Sequence, residues 1–266
     1  MKKYFVISDI HGHYTIMKKD LFKAGYRKTN PDHILIVCGD LFDRGRENKK
    51  VFDFITSLPK SRVVLIRGNH EDLLEELVNR GYPKFFDIKN KTLNTIYQIV
   101  NEYYPNDNLV GDDIIKAFVK TDFYKFISNK SNWNDWYELG KYVFVHSFIP
   151  LKDQAGTSSY SQNWRTESTA RERYLSRWGN PAKLYKEGLF KEEEKNGKIL
   201  VCGHWHTNEL YEILDKDFSK TFCPIYRSSN FIGIDACTSV TYRVNVLVID
   251  EDEIYDKGDK NKGIDK

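Results

Sequence analysis

Asp9 and His11 stand two residues apart in Ser8-Asp9-Ile10-His11-Gly12. Asp40 and Asp43 follow in Gly39-Asp40-Leu41-Phe42-Asp43-Arg44-Gly45, and Asn69 and His70 in Arg67-Gly68-Asn69-His70-Glu71. Farther on come His146, in His146-Ser147-Phe148, and the pair His204 and His206, in Gly203-His204-Trp205-His206-Thr207. Carboxylate, imidazole and carboxamide oxygen together make a donor set for hard and borderline divalent cations. The two oxygens of a carboxylate such as Asp40 can bridge two ions, and Asn69 offers an oxygen that adds no charge. Two ions sharing a water acidify it to hydroxide near neutral pH, so such a centre hydrolyses without a protein nucleophile.

One Asp-x-His means little, and a lone His at a strand end is more often structural than a ligand. Here five clusters obey one rule. Each follows an apolar, β-type run: Tyr4–Ile7, Ile34–Cys38, Val63–Ile66, Tyr142–Val145 and Ile199–Cys202. Buried strands of this kind lie roughly parallel, and their carboxyl ends share the sheet edge where open α/β folds carry their sites. In an extended segment alternate side chains face the same way, which predicts that Asp9 and His11 reach one ion.

The first third alternates strand and helix. Helical patterns cover Thr15–Ala24, Glu47–Leu58 and Glu71–Asn79, the last with an acidic first turn, and right-handed parallel crossovers follow from that order. Residues 82–128 are polar and aromatic, with helices over Thr92–Tyr104 and Asp112–Ile127; they read as a helical insertion or cap on a domain spanning 1–250. Strands are then expected at Trp136–Leu139, Val143–His146, Ile199–Cys202, Glu209–Leu214, Phe231–Asp235 and Tyr242–Ile249. Gly140-Lys141 makes a tight turn and Ser168–Trp178 a short helix. Residues 251–266 read as a charged, flexible tail. The expected class is α/β, with two packed mixed sheets flanked by helices.

The chain has 266 residues, a net charge of +3 and 30% charged residues with both signs interspersed, which argues against nucleic-acid binding. No apolar run is long enough to span a bilayer, and no leader-like segment precedes the first strand, so no membrane partner and a cytoplasmic location are expected. Cys38, Cys202, Cys223 and Cys237 read as reduced cysteines.

Asp-x-His-Gly, Gly-Asp-x-x-Asp-Arg-Gly, Gly-Asn-His-Glu, a lone strand-end His and Gly-His, in this order and spacing over residues 4–250, resemble the signature of calcineurin-like metallophosphoesterases. Asp43-Arg44-Gly45 and Glu71 resemble the serine/threonine phosphoprotein phosphatase branch of that family, in its short bacterial and bacteriophage forms. The resemblance implies a four-layer αββα sandwich and two divalent ions, manganese first, with iron, zinc or nickel as alternatives. Asp9 and His11 would hold one ion, Asp40 would bridge, and Asn69, His146 and His204 would hold the other. His70 would be the general acid, oriented by Asp43, and Arg44 would grip the phosphate. A second phosphate-binding arginine is expected after the lone His; Arg165 matches that place best, with Arg171, Arg173 and Arg177 as rivals. The implied reaction is in-line attack of a metal-bridging hydroxide on a phosphomonoester.

Two features depart from the branch. Ser8 stands where it usually has Gly, and Gly-His-x-His adds His206, which the wider family uses as a ligand of the first ion. His206 is therefore expected to complete that ion's shell, and His13 to sit at the pocket rim or cap a helix. The expected substrate is a phosphoprotein or a small phosphate ester or nucleotide. Hydrolysis of dinucleoside polyphosphates, of the diadenosine tetraphosphate type, is the alternative, with Tyr97, Tyr103, Tyr104 and Phe118 available to stack a base. A non-catalytic metal-binding scaffold is a third reading.

Overall fold

Alternate residues of the first strand part company: Tyr4 and Val6 enter one apolar layer, Phe5 and Ile7 another. In the computed structural model of the protein, which describes residues 1–107, 109–154 and 157–254, this alternation builds the whole fold. Strands β1 (Lys3–Ile7), β2 (His33–Cys38) and β3 (Val63–Ile66) pair in parallel, and β11 (Leu247–Asp250) closes the β1 edge antiparallel, giving the order β11-β1-β2-β3. In the second sheet β5 (Tyr142–Val145), β8 (Ile199–Cys202) and β10 (Phe231–Gly233) are parallel. The antiparallel edges β4 (Trp136–Leu139) and β9 (Tyr226–Arg227) complete the order β4-β5-β8-β10-β9. A separate two-stranded ribbon joins β6 (Lys152–Gln154) and β7 (Thr157–Ser159).

Val6, Ile36, Cys38, Phe144, Val201 and Ile232 fill the layer between the two sheets. The opposite faces of the same strands, Phe5, Leu35 and Val37 on one side and Val143, Val145 and Leu200 on the other, are covered by helices. The result is an αββα stack. Over the first sheet lie α1 (Tyr14–Lys23), α2 (Asn48–Thr56) and α3 (Asn69–Arg80), which contribute Met17, Leu21, Val51, Ile55 and Leu74. The segment after α3 folds as α4 (Phe85–Lys89), α5 (Thr92–Tyr103), α6 (Asp112–Lys120) and α7 (Asp122–Ser128). Ile96, Ile99, Phe118 and Phe123 from these helices join the same buried cluster, so the segment extends this helical layer.

The structure departs from the sequence reading at several elements. The expected Asp112–Ile127 helix is two helices, because Thr121 is extended and caps α7 by accepting from the Tyr124 amide. Glu209–Leu214 is helical: Leu210, Ile213 and Leu214 follow the i, i+3, i+4 spacing of a helix and pack in one cluster. Tyr242–Ile249 is strand only from Leu247, after a short helix at Thr238–Thr241 and a left-handed Tyr242. Of the expected tail, Glu251–Glu253 form a 3-10 turn and Ile254 is buried; its remaining residues lie outside the described part. Among the described residues no helix is long and apolar enough to cross a membrane.

Candidate metal centre

Three parallel strands of one sheet and two of the other deliver the predicted residues to a common edge. Asp9 and His11 follow β1, Asp40 follows β2, and Asn69 and His70 open α3 after β3. His146 follows β5 and His204 follows β8. Asp9, His11, Asp40, Asn69, His70 and His146 are buried. Asp9 and His11 are not presented by an extended segment. Both have positive φ, 52° and 48°, so the chain has left the strand before it presents them. Asp40, Asp43, Arg44 and His204 are also left-handed, a costly conformation for residues with a Cβ and one that gathers at functional sites. The neighbouring glycines leave no room for side chains. A Cβ on Gly39, whose φ is +81°, would run into the His146 ring, and one on Gly203 into Ser8 and Asp9.

Among the described residues two groups of metal-competent side chains form, His11-Asp40-His70 and Asp40-His146-His204, with the donor atoms of each group within 4.8 Å of one another. Asp40 belongs to both. Its Oδ2 lies 3.7 Å from His11 Nε2, and its Oδ1 lies 3.4 Å from His146 Nε2. Asp9 Oδ1 is 3.9 Å from His11 Nε2, while Asp9 Oδ2 accepts from the Ser8 hydroxyl and from the His204 amide.

The outer contacts of the imidazoles test whether a cation fits. His11 Nδ1 lies 3.0 Å from the Phe42 carbonyl, and His146 Nδ1 lies 2.8 Å from the Cys38 carbonyl; His204 bonds the backbone of Trp178. A ring that donates one N–H to a carbonyl leaves the other nitrogen as a lone pair. For His146 that lone pair faces Asn69 Oδ1 at 2.8 Å and Asp40 Oδ1, both acceptors. Three acceptors converge there, with only the His70 amide donating to Asp40 Oδ1, an arrangement that suits a cation. Burial, with Arg44 and His70 next, pushes His11 well below the usual histidine range, and burial with His146 pushes His204 down to about 3. Both are thus neutral, as ligands must be. For Asp40 burial raises the pKa, but the imidazoles around it, His146 and His70 first, outweigh it and carry the carboxyl below the usual carboxylate range.

Beside this centre Asp43 Oδ2 lies 2.8 Å from His70 Nδ1 and also accepts from Thr92 Oγ1 at 2.7 Å. Arg44 Nη2 lies 3.1 Å from His70 Nε2. Burial lowers the His70 pKa, but Asp40 and Asp43 more than compensate, and the imidazole ends above its ordinary value. Glu71 braces the backbone. It accepts from the amides of Gly68, Asp40 and Leu41, pinning the Asp40 loop to the start of α3. Burial, with Asp40 beside it, raises its carboxyl to about 7.

Arg165 lies elsewhere, and His206 stands outside the two donor groups. Arg165 is held by Glu138 and Glu193, beside Lys198 at the start of β8 and so toward the opposite end of the sheet, where the carboxylates leave it no free face. Its rivals are also engaged: Arg171 with Asp153, Arg173 with Asp135, and Arg177 with Asp72 and Asp135. His206 is in neither donor group; it precedes a helix at Thr207–Leu210 and its Nδ1 lies 3.4 Å from Glu209. His13 caps nothing with its side chain and bonds Ser239 instead. Asp235 escaped the sequence reading. It is buried two residues past β10, and its carbonyl accepts from the Thr207 amide. Burial raises its pKa, and its charge in turn helps to raise that of Asp9. The strand-end rule would have found it, since Phe231-Ile232-Gly233-Ile234 is a short apolar run ending in Asp235.

Comparison with known proteins agrees with this architecture. The chain is 39% identical over 157 residues to the asymmetrical bis(5'-nucleosyl)-tetraphosphatase PrpE of Bacillus subtilis (strain 168), covering 56% of this chain and 59% of that protein. The enzyme of the same name from Bacillus velezensis is 27% identical over 158 residues, with 56% and 58% covered. The chain thus spans less than two thirds of the length of either relative. Among solved structures, a cold-active protein-tyrosine phosphatase of a psychrophilic Shewanella species superposes with a TM-score of 0.52 at 18% identity, over 94% of this chain and 76% of that one. A protein serine/threonine phosphatase from Saccharomyces cerevisiae, similar to human phosphatase PP5, superposes with a TM-score of 0.51 at 12% identity, over 94% and 80%. At these identities the likeness is one of fold. The sequence profile of calcineurin-like phosphoesterases matches residues 2–208, and the chain belongs to that family.

Proposed function

We propose that this protein is a dinuclear-metal phosphoesterase that hydrolyses the phosphoanhydride bridge of dinucleoside polyphosphates. The observation that carries the hydrolytic reading is Asp40, one buried carboxylate shared by two donor groups with the His70–Asp43 pair beside it. Asp9, His11 and Asp40 would hold one divalent ion, and Asp40, Asn69, His146 and His204 the other. Two such ions, when bound, supply Lewis acidity at phosphorus and lower the pKa of water. Arg44 grips the phosphoryl oxygens and offsets charge as it develops. His70, whose pKa Asp40 and Asp43 raise, would give a proton from Nε2 to the departing oxygen once that oxygen takes the place Arg44 Nη2 has beside it.

The substrate class rests on two supports. Both curated relatives are named as bis(5'-nucleosyl)-tetraphosphatases. A terminal phosphate dianion calls for a second guanidinium beside Arg44, and the four arginines considered for that place are each paired with carboxylates, Arg177 with Asp72 in the first turn of α3. A second reading, a phosphoserine or phosphothreonine protein phosphatase, is favoured by His206, whose Nδ1 lies 3.4 Å from Glu209, as if this chain followed the branch that has no second ligand His there. Turnover of diadenosine tetraphosphate beside phosphopeptides by the manganese-loaded protein separates the two. Faster turnover of the peptides would overturn the first.

A further inference from the structure

Next to the loop that presents Arg44 runs a groove of about 550 Å³ between α2 and α5. We infer that this groove binds the nucleoside monophosphate arm of the substrate remote from the cleaved bond, an inference that rests on the dinucleoside polyphosphate reading.

The groove is tied to the metal centre through the backbone. Asp43 and Arg44 are consecutive left-handed residues, and the Gly45 carbonyl that follows accepts from Asn48 Nδ2 at 3.2 Å and from Gln98 Nε2 at 3.1 Å. Arg44 therefore turns toward His70, and Arg46, two residues on, opens into the groove. At no more than ~3.6 Å of chain per residue, the two α-carbons lie within reach of one polyphosphate bridge. Arg46 is exposed and has no ion-pair partner among the described residues, so its charge is free for a phosphate. Lys50 lies on the same wall and is engaged only with Glu47 in an exposed pair, which exchanges readily for a stronger anion.

The far wall has a different chemistry. Gln98, Asn101 and Glu102 stand at i, i+3 and i+4 on α5 and so share one helix face. Gln98 is held by Gly45 and Asn48, while the Asn101 carboxamide and the Glu102 carboxylate offer donors and acceptors together, which matches ribose hydroxyls and a base edge. The volume lies within the range of small-molecule sites.

The test compares kcat/KM for diadenosine tetraphosphate with kcat/KM for an aryl phosphate, which has no remote arm, in manganese-loaded wild type, Arg46→Ala and Glu102→Gln. The ratio of the two should fall about tenfold in Arg46→Ala, the effect of one charge-assisted hydrogen bond, and the loss should appear in KM. Glu102→Gln should lower it several-fold. If the wild type hydrolyses both compounds and neither variant moves the ratio, the subsite is refuted while the proposed function stands. Equal losses on both compounds would mean that Arg46 acts through the Arg44 loop, and would also overturn it. A wild type that hydrolyses only the aryl phosphate would overturn the proposed function and the subsite with it.

Discussion

Asp43 and His70 face each other at 2.8 Å, carboxylate Oδ2 to ring Nδ1, and both side chains are withdrawn from solvent. The bond fixes which nitrogen is left to act. With Nδ1 committed to Asp43, only Nε2 can meet a substrate, and it lies beside Arg44. For His70→Asn the expected loss depends on the leaving group. On an alkyl phosphate, whose alkoxide needs a proton, kcat should drop by roughly two to four orders of magnitude. On an aryl phosphate or a dinucleoside polyphosphate, which expel much weaker bases, the loss should be smaller. Parallel kinetics on the three substrates check this, and equal losses on all would remove His70 from the acid role.

Asp40→Asn removes the bridging charge of the site without changing its shape. A carboxamide cannot bridge two cations with two oxygens. The purified variant should hold fewer ions per chain than the wild type, by elemental analysis, and should lose most hydrolysis of an aryl phosphate. Chelation should do the same to the wild type. Full activity in excess chelator, with no metal found, would exclude the two-ion reading.

Gly203→Ala places a methyl group against Ser8 and Asp9. The Asp9 carboxylate, which accepts from the His204 amide, has to move. The variant is expected to fold with a melting temperature lower by roughly 5 °C or more, corresponding to about 2 kcal/mol in a chain of this size. Calorimetry with and without added manganese should show that the added ion recovers less stability in the variant than in the wild type.

Arg165, which does not serve the site, makes a prediction about acid. Arg165, with Trp164 and Tyr160, holds the buried Glu193 carboxyl down to about 2, although burial alone would raise it. A depressed folded pKa contributes stability above the ordinary value near 4.5 and loses it as pH falls from there toward 2. Glu193→Gln should therefore flatten the pH dependence of unfolding in that window, by at most about 3 kcal/mol. Arg165→Met should destabilise the protein by about 3 kcal/mol at pH 7, because it strands a buried charge. Denaturant melts across the window check both. A drop in substrate affinity at unchanged stability in Arg165→Met would return Arg165 to the site.

The residues that gather at the candidate centre were legible in the sequence because each obeys a local rule: an apolar run, then a residue of a type that can bind cations. Short parallel strands convert that one-dimensional rule into a shared edge. Arg165 was not legible, because its place depends on how residues 147–198 fold back over the second sheet, and no periodicity encodes that path. The carbonyls of Phe42, Cys38 and Trp178, which set the tautomers of three histidines, are invisible in any sequence, since every residue has one. Asp235 was legible in principle and passed over, being a single acid after a three-residue strand.

The two halves of the centre are far apart along the chain. His146 reaches the Cys38 carbonyl across 108 residues, and the His204 amide reaches Asp9 across 195. During synthesis, then, Asp9, His11, Asp40, Asn69 and His70 emerge as one group long before His204 exists. At 5–20 residues per second the interval is on the order of ten seconds. Throughout it those donors lack the complete pair of histidines of the second sheet, and open sets of this kind favour copper or zinc over manganese. A circular permutant that brings His146 and His204 out first would change that order while leaving the folded centre the same.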